Sequence, residues 1–210
     1  MERQAGTEKV SKSKGERSRE QLLEAALRII ADRGVGAVTH RSIADEAGLT
    51  RGAVTYHFAS RDEILLAAFR HYIETVHSLI DEVSQDKTDK SLDELIETMV
   101  QFHQQEFFDP DRVLAEYELI VFAARHQDIR QEFRTWENRL ITQIEAQLDQ
   151  IGFEDGRLTA TVMLAVARAF ELEHLTHPES DPDELRRRLR AVLSGAKRTD
   201  EARLKQGETA

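Results

Sequence analysis

Along most of this chain apolar residues recur at spacings of three and four, the period of helices with one buried face. Ser18, with Gln21 three residues on, has the form of a capping box ahead of Leu22, Leu23, Ala26, Leu27, Ile29 and Ile30, and Gly34 ends that helix. Thr39 then caps a short helix carrying Ile43, Ala44 and Ala47. Gly48 stops it, and Thr50 caps the next, Arg51 to His57. Ser60 to Glu63 makes another capping box, with acids in the first turn where the helix dipole favours them. A long helix follows, with the stripe Ile64, Leu65, Ala68, Phe69, Tyr72, Ile73, Val76, Leu79, Ile80 and Val83.

The polar run 85–90 predicts a loop. Beyond it lie stripes over Leu92 to His103, Val113 to Ala124 and Phe133 to Ile151. Leu158 to Leu175 is apolar around most of its circumference, so it needs cover on more than one side. A last helix carries Leu185, Leu189, Val192 and Leu193, and the polar tail past Gly195 is expected to fray. No alternation of period two and no internal repeat appears. The pattern predicts an all-α chain of about nine helices, with a three-helix N-terminal module joined by the long helix to a C-terminal bundle.

Composition narrows the function classes. The 210 residues include no cysteine, which excludes disulfide scaffolds, thiolate zinc sites and cysteine nucleophiles. The N-terminus is polar and reads as no signal peptide. The most apolar segment is interrupted by Arg168, Glu171, Glu173 and His174, short of the roughly 18 unbroken apolar residues of a membrane span. A soluble, cytoplasmic protein without a membrane partner is expected. The net charge of −10 argues against nucleic acid when taken whole. It is unevenly spread, however. Residues 1–61 hold 11 Lys+Arg against 8 Asp+Glu, and the remainder holds 18 against 31. Lys9, Lys12, Lys14, Arg17 and Arg19 lie in or next to a polar start that suits a basic arm beside a DNA-binding module.

Thr39 to Phe58 carries the most specific signal. Two short helices around a glycine turn are the sequence form of a helix-turn-helix. Ala44 is small where the helices cross closely, Gly48 permits a positive φ, and Ile43 and Val54 are apolar where the pair packs. The run Thr39-His-Arg-Ser-Ile-Ala-Asp-Glu-Ala-Gly-Leu-Thr-Arg-Gly-Ala-Val-Thr-Tyr-His-Phe58, followed by Ala-Ser-Arg-Asp-Glu-Ile-Leu, resembles the DNA-binding domain of TetR-family transcriptional regulators. The resemblance implies a homodimer on a palindromic operator, with the second helix of the motif in the major groove. It also implies a repressor released by a small-molecule effector. On the DNA side it implies Thr39, Arg41, Thr50, Arg51, Thr55, Tyr56, His57 and Arg61. Of these, Arg51 suits bidentate reading of guanine or a phosphate clamp. Thr39, Tyr56 and His57 suit phosphate, and Arg61 stands where the family often has a lysine on the DNA backbone. Phe58 is expected in the core. The matching division is a flexible basic arm over 1–17, a DNA-binding domain over 18–61, an effector-binding and dimerisation domain over 62–196, and a flexible tail over 197–210.

By the same resemblance the bundle holds an effector between helices, with Phe102, His103, Tyr117, Ile120, Val121, Trp136, Leu140, Met163 and Phe170 as candidate lining; each also reads as ordinary core. Arg168 and Glu171, three apart, suggest an ion pair within one helix at a dimer interface. The last two helices are the dimer candidates, with Ala160, Ala165, Ala167 and Ala169 allowing close approach. Two readings compete. Glu74-x-x-His77 and Glu171-x-x-His174 match the pairs that ligate di-metal sites in helical bundles, with Glu106, Glu116 or Glu118 as extra ligands; yet with 24 Glu and 8 His, chance supplies about one such pair. The other is a DNA-binding protein without effector response. No cofactor or resident metal is expected.

Overall fold

The computed structural model describes residues 13–84, 91–107, 110–179 and 181–207, excluding the side chains of 79–84, 105–107, 182 and 197–207. Among the described residues the chain forms nine α-helices and no strand. They are α1 (Lys14–Arg33), α2 (His40–Ala47), α3 (Arg51–His57), α4 (Arg61–Ser84), α5 (Leu92–Phe107), α6 (Pro110–Ala123), α7 (Gln127–Ile151), α8 (Gly156–Thr176) and α9 (Pro182–Gly207). A single 3-10 turn, Val35–Ala37, joins α1 to α2.

Both ends depart from expectation. The capping box that starts α1 is Ser13 with Glu16, not Ser18 with Gln21. Ser13 Oγ accepts from the Glu16 amide at 3.2 Å, and Glu16 Oε2 accepts from the Ser13 amide at 2.7 Å. Lys14 and Arg17 therefore ride on a helix rather than on a flexible arm, while Lys9 and Lys12 lie outside the described residues. At the other end α9 continues through the polar segment to Gly207. Leu79, Ile80 and Val83 of the long stripe also fall outside the described side chains.

The expected punctuation of the helix-turn-helix is present. Thr39 caps α2 through Ser42, Thr50 caps α3 through the Ala53 amide at 3.2 Å, and Gly48 turns the corner in the left-handed region at φ 65°. Ile43, Val54 and Phe58 are buried as the motif requires, and Leu22, Ile29, Ile30, Ile64, Leu65 and Phe69 close over them from α1 and α4.

The core does not divide at residue 61. One apolar cluster runs from these residues through Ala115, Leu119 and Ala123 of α6 to Ile129, Trp136 and Leu140 of α7. A second joins α5, the far half of α7, α8 and α9 through Leu95, Ile96, Leu148, Met163, Phe170, Leu189 and Leu193. The N-terminal module is thus seated directly on the bundle, with α1 packed along α6.

At Gly48 nothing stands within 4 Å of a would-be Cβ, so an alanine there meets only backbone strain. Gly48→Ala is expected to lower stability by about 1–2 kcal/mol, read from urea midpoints. An unchanged midpoint would show that the left-handed turn does not constrain the motif.

Candidate DNA interface and effector site

The outward side of α3 is shaped by what its inward side buries. With Val54 and Phe58 in the core, the 3.6-residue period leaves Arg51, Thr55 and Tyr56 exposed, Tyr56 at 84%. Arg51 meets no carboxylate among the described residues. Thr55 spends its hydroxyl proton on the Arg51 carbonyl at 3.0 Å, leaving its methyl and oxygen lone pairs outward. His57 is half-buried, with its ring edge-to-face on Tyr56 at 5.0 Å. Arg41 is exposed, 3.8 Å from Asp45 one turn on.

Thr39 is more committed than its sequence position suggests. Its amide donates to Ser42 Oγ at 2.9 Å and its hydroxyl oxygen accepts from the Ser42 amide at 3.0 Å. Past this reciprocal cap, the amides left without helical partners are those of His40 and Arg41. His40 itself was not singled out from the sequence. Its Nε2 lies 3.0 Å from the Phe58 carbonyl and ties the start of α2 to the end of α3. Arg61 is turned inward: its Nη2 donates to the Val35 carbonyl at 2.7 Å and its Nε to the Val38 carbonyl at 3.1 Å.

In the bundle, polar side chains from five helices converge. His103 of α5 is 4% exposed and Glu171 of α8 is 6% exposed. The ring has Nδ1 2.6 Å from the Met99 carbonyl and Nε2 2.9 Å from Glu171 Oε1, so with an ionised Glu171 it donates on both sides as an imidazolium. The Tyr117 hydroxyl of α6 reaches Glu171 Oε2 at 2.7 Å and the Arg168 carbonyl at 3.1 Å. Beside this set, Tyr72 of α4 donates to the buried Glu116 of α6. Arg168 and Glu171 do not pair with each other. The Arg168 guanidinium crosses to Glu137 of α7 and lies over the rings of Phe133 and Trp136, at 5.2 and 5.9 Å. Trp136, 6% exposed, keeps a buried Nε1 donor with no partner among the described residues, as does Arg168 at Nη2. Gln143 and Gln147, on the same face of α7 as Trp136, hold buried Oε1 acceptors in the same condition.

Burial pushes the Glu171 pKa up, but the His103 hydrogen bond and charge, the Tyr117 hydroxyl and Arg168 outweigh it and hold the carboxyl below its ordinary value. Burial, and then the charge of Glu171, push the Tyr117 phenol far above its own.

The nine residues expected to line the effector site are not all brought together. Trp136, Leu140 and the partly buried Phe102 belong to the first cluster, while Met163 and Phe170 belong to the second. His103 and Tyr117 meet through Glu171, and Ile120 is half-buried. Val121 is 60% exposed and points outward, because Leu119 and Ala123 occupy the inward face of α6; it is no lining residue. Of the four alanines assigned to the dimer surface, Ala160 and Ala167 are buried within the subunit and only Ala165 and Ala169 face outward. The di-metal alternative finds no support. Among the described residues no group of three His, Asp or Glu could hold a metal ion, Glu171 is engaged by His103 and Tyr117, and the Glu106 side chain lies outside the described set. No described helix is long and apolar enough to cross a membrane.

Residues 22–68 match the family described as "Bacterial regulatory proteins, tetR family", and residues 90–195 match "Tetracyclin repressor-like, C-terminal domain". The chain belongs to the TetR family. Among relatives of this TetR-family chain, the HTH-type transcriptional regulator PksA of Bacillus subtilis is 38% identical over 69 residues, 33% of this chain and 34% of PksA. The chain spans about a third of the length of its Bacillus subtilis relatives. A solved transcriptional regulator from Rhodococcus sp. superposes with a TM-score of 0.77 at 22% identity, covering 87% of this chain and 97% of that one. The multidrug binding protein EbrR, complexed with imidazole, gives 0.61 at 25% identity over 83% and 93%.

The buried cluster of this TetR-family bundle makes a pH prediction. Since the folded pKa of Glu171 lies below the unfolded value of about 4.3, its stabilisation is present above that pH and is lost as pH falls through the folded value. Glu171→Gln is therefore expected to lower stability at neutral pH and to flatten the fall of the urea midpoint between about pH 5 and pH 3. An acid limb as steep as that of the parent protein would assign the acid sensitivity to other carboxylates.

Proposed function

We propose that this chain is a dimeric transcriptional repressor that reads a palindromic operator through α3 and releases it when a small molecule enters the bundle. One observation carries the DNA reading. The seven-residue α3 is pinned by Val54 and Phe58 while Arg51, Thr55 and Tyr56 stand exposed, the arrangement a major-groove reader needs. Arg51 reads a base edge, Thr50 and Thr55 lie beside it, and Arg41, Tyr56 and His57 hold phosphates with the amides at the start of α2. Such work places the protein in the cytoplasm with the chromosome.

Dimerisation has its own support. Leu158, Val162, Ala165, Ala169 and Leu172 follow one another at helical spacing and form an exposed apolar stripe along α8. A second copy packed through α8 and α9 supplies the cover this stripe requires. Leu158→Glu with Leu172→Glu is expected to give monomers in sedimentation.

The effector reading rests on the polar cluster between α4 and α8, where Trp136 holds an indole N–H without a partner among the described residues. EbrR, described as a multidrug binding protein, is a neighbour of the same fold.

The duplex that the protein selects from a random pool provides the test. Arg51→Ala should cost about 1–3 kcal/mol on that duplex and relax base preference at one position of each half-site, as read by fluorescence anisotropy. Equal losses on selected and random DNA would remove its base-reading role. Trp136 is the only tryptophan in the chain, so its emission reports the bundle interior. A compound that releases the operator is expected to shift that emission. Release with unchanged emission would place the effector elsewhere.

A further inference from the structure

The segment between α1 and α2 is held from two sides. Gly34 ends α1 at φ 75°, and residues 35–38 then lead into Thr39 and the helix-turn-helix. From α4, Arg61 forks onto two carbonyls, Val35 at 2.7 Å and Val38 at 3.1 Å. From α6, Glu118 Oε2 accepts from the Val35 amide at 3.3 Å. The outer side of the Arg61 guanidinium lies 5.7 Å over the Phe122 ring, one turn along from Glu118, and Phe122 is itself stacked on His126 at 3.7 Å. Asp62 Oδ1 lies 4.0 Å from Arg61 Nη1. Ser42, the reciprocal cap of α2, donates to the Ala37 carbonyl at 2.8 Å, so the held segment is bonded in turn to the first turn of α2.

We propose that Arg61 is a positioning residue of the DNA reader rather than a phosphate contact, and that it acts with Glu118 of the bundle to bracket residues 35–38 and so fix where α2 and α3 stand. The proposal rests on the DNA-binding reading above. A guanidinium suits the task because its planar fork serves two acceptors at fixed spacing and one face can lie on a ring. An ammonium is a point charge that keeps a phosphate contact, as the family's lysine at this position does, but it cannot span two carbonyls in this geometry.

That difference makes Arg61→Lys the deciding variant. Bracketing predicts that it binds the selected operator about tenfold more weakly. Its affinity for a random duplex and the slope of log K against log salt should stay as in the parent chain. Glu118→Ala, which removes a bundle side chain, should weaken operator binding in the same direction. A phosphate contact predicts the reverse: Arg61→Lys binds like the parent, whereas Arg61→Gln loses affinity on both duplexes and reduces the salt slope by about 0.9. That result overturns the proposal. Amide hydrogen exchange in free protein is the second measurement, because it does not depend on DNA. Both Arg61→Lys and Glu118→Ala should speed exchange at Val35 while the urea midpoint moves little. Unchanged exchange at Val35 refutes the bracket even if no operator is ever selected, whereas failure to select any duplex refutes the DNA-binding reading and leaves the exchange result to stand alone.

Discussion

A helix of seven residues cannot hold itself together in water, since isolated helices shorter than about 12–15 residues are marginal even for the best formers. The proposed DNA reader of this chain, α3, depends on that constraint more than on any other. Val54 and Phe58 must be buried for α3 to exist. Burying them takes α1 and α4, and seating α1 and α4 takes α6 and the first half of α7. The single apolar cluster from Leu22 to Leu140 is the physical result. Reader and bundle share a core, so a displacement of α6 is felt where the reader is seated. Because packed interiors transmit strain and do not deform smoothly, the bundle and the helix-turn-helix are coupled through their packing without a separate element between them.

The second cluster carries a different burden. Its border with the first holds His103, Glu116 and Glu171 in nearly dry surroundings, although well-packed apolar residues of similar volume are often as stable as a buried ion pair or more so. Each charge is met: Glu171 by His103 and Tyr117, Glu116 by Tyr72, Arg168 by Glu137. The Trp136 indole, Arg168 Nη2 and the Gln143 and Gln147 oxygens beside them, without partners among the described residues, depart from full satisfaction, and local departures of this kind are expected where function competes with stability.

How much of this was legible in the sequence depended on whether the controlling interaction was local. Caps at Thr39 and Thr50, the stop at Gly48 and the stripe of the long helix as far as Val76 follow from residues within one or two turns, and they match. The start of α1 misled because Ser18 and Gln21 satisfy the capping pattern as well as Ser13 and Glu16 do; choosing between them requires knowing where the helix meets its neighbours. The pairing of Arg168 and Glu171 failed for a related reason. Spacing of three permits an intrahelical pair, but each side chain found a partner on another helix, Glu137 on α7 and His103 on α5. Val121 looked like pocket lining because it is apolar in an apolar helix, and only the packing of Leu119 and Ala123 shows which side of α6 faces inward. Arg61, finally, had a family role available, and its separation by more than twenty residues from Val35 and Val38 leaves no trace in any periodicity.

The inward turn of Arg61 also changes the electrostatic account of a chain with net charge −10. The basic N-terminal part carries 11 Lys+Arg, but many of them have partners within the fold. Arg28 and Arg33 lie against Glu46, Arg41 against Asp45, and Arg61 is spent on backbone carbonyls. In the two helices of the motif and the turn before α4, Arg51 is then the one arginine that meets no acid or carbonyl among the described residues, while Lys14, Arg17 and Arg19 lie on the first two turns of α1, Arg19 over the Phe58 ring. Counterion release scales with the number of phosphates neutralised, so a reader with so few free cations gains little from charge alone. What remains are the open amides at the start of α2, the hydroxyls of α3 and the guanidinium groups of Arg51 and the exposed Arg41, all of which depend on distance and direction. A reader of that kind needs a rigid seat, and the shared core with the bracket at residues 35–38 supplies one.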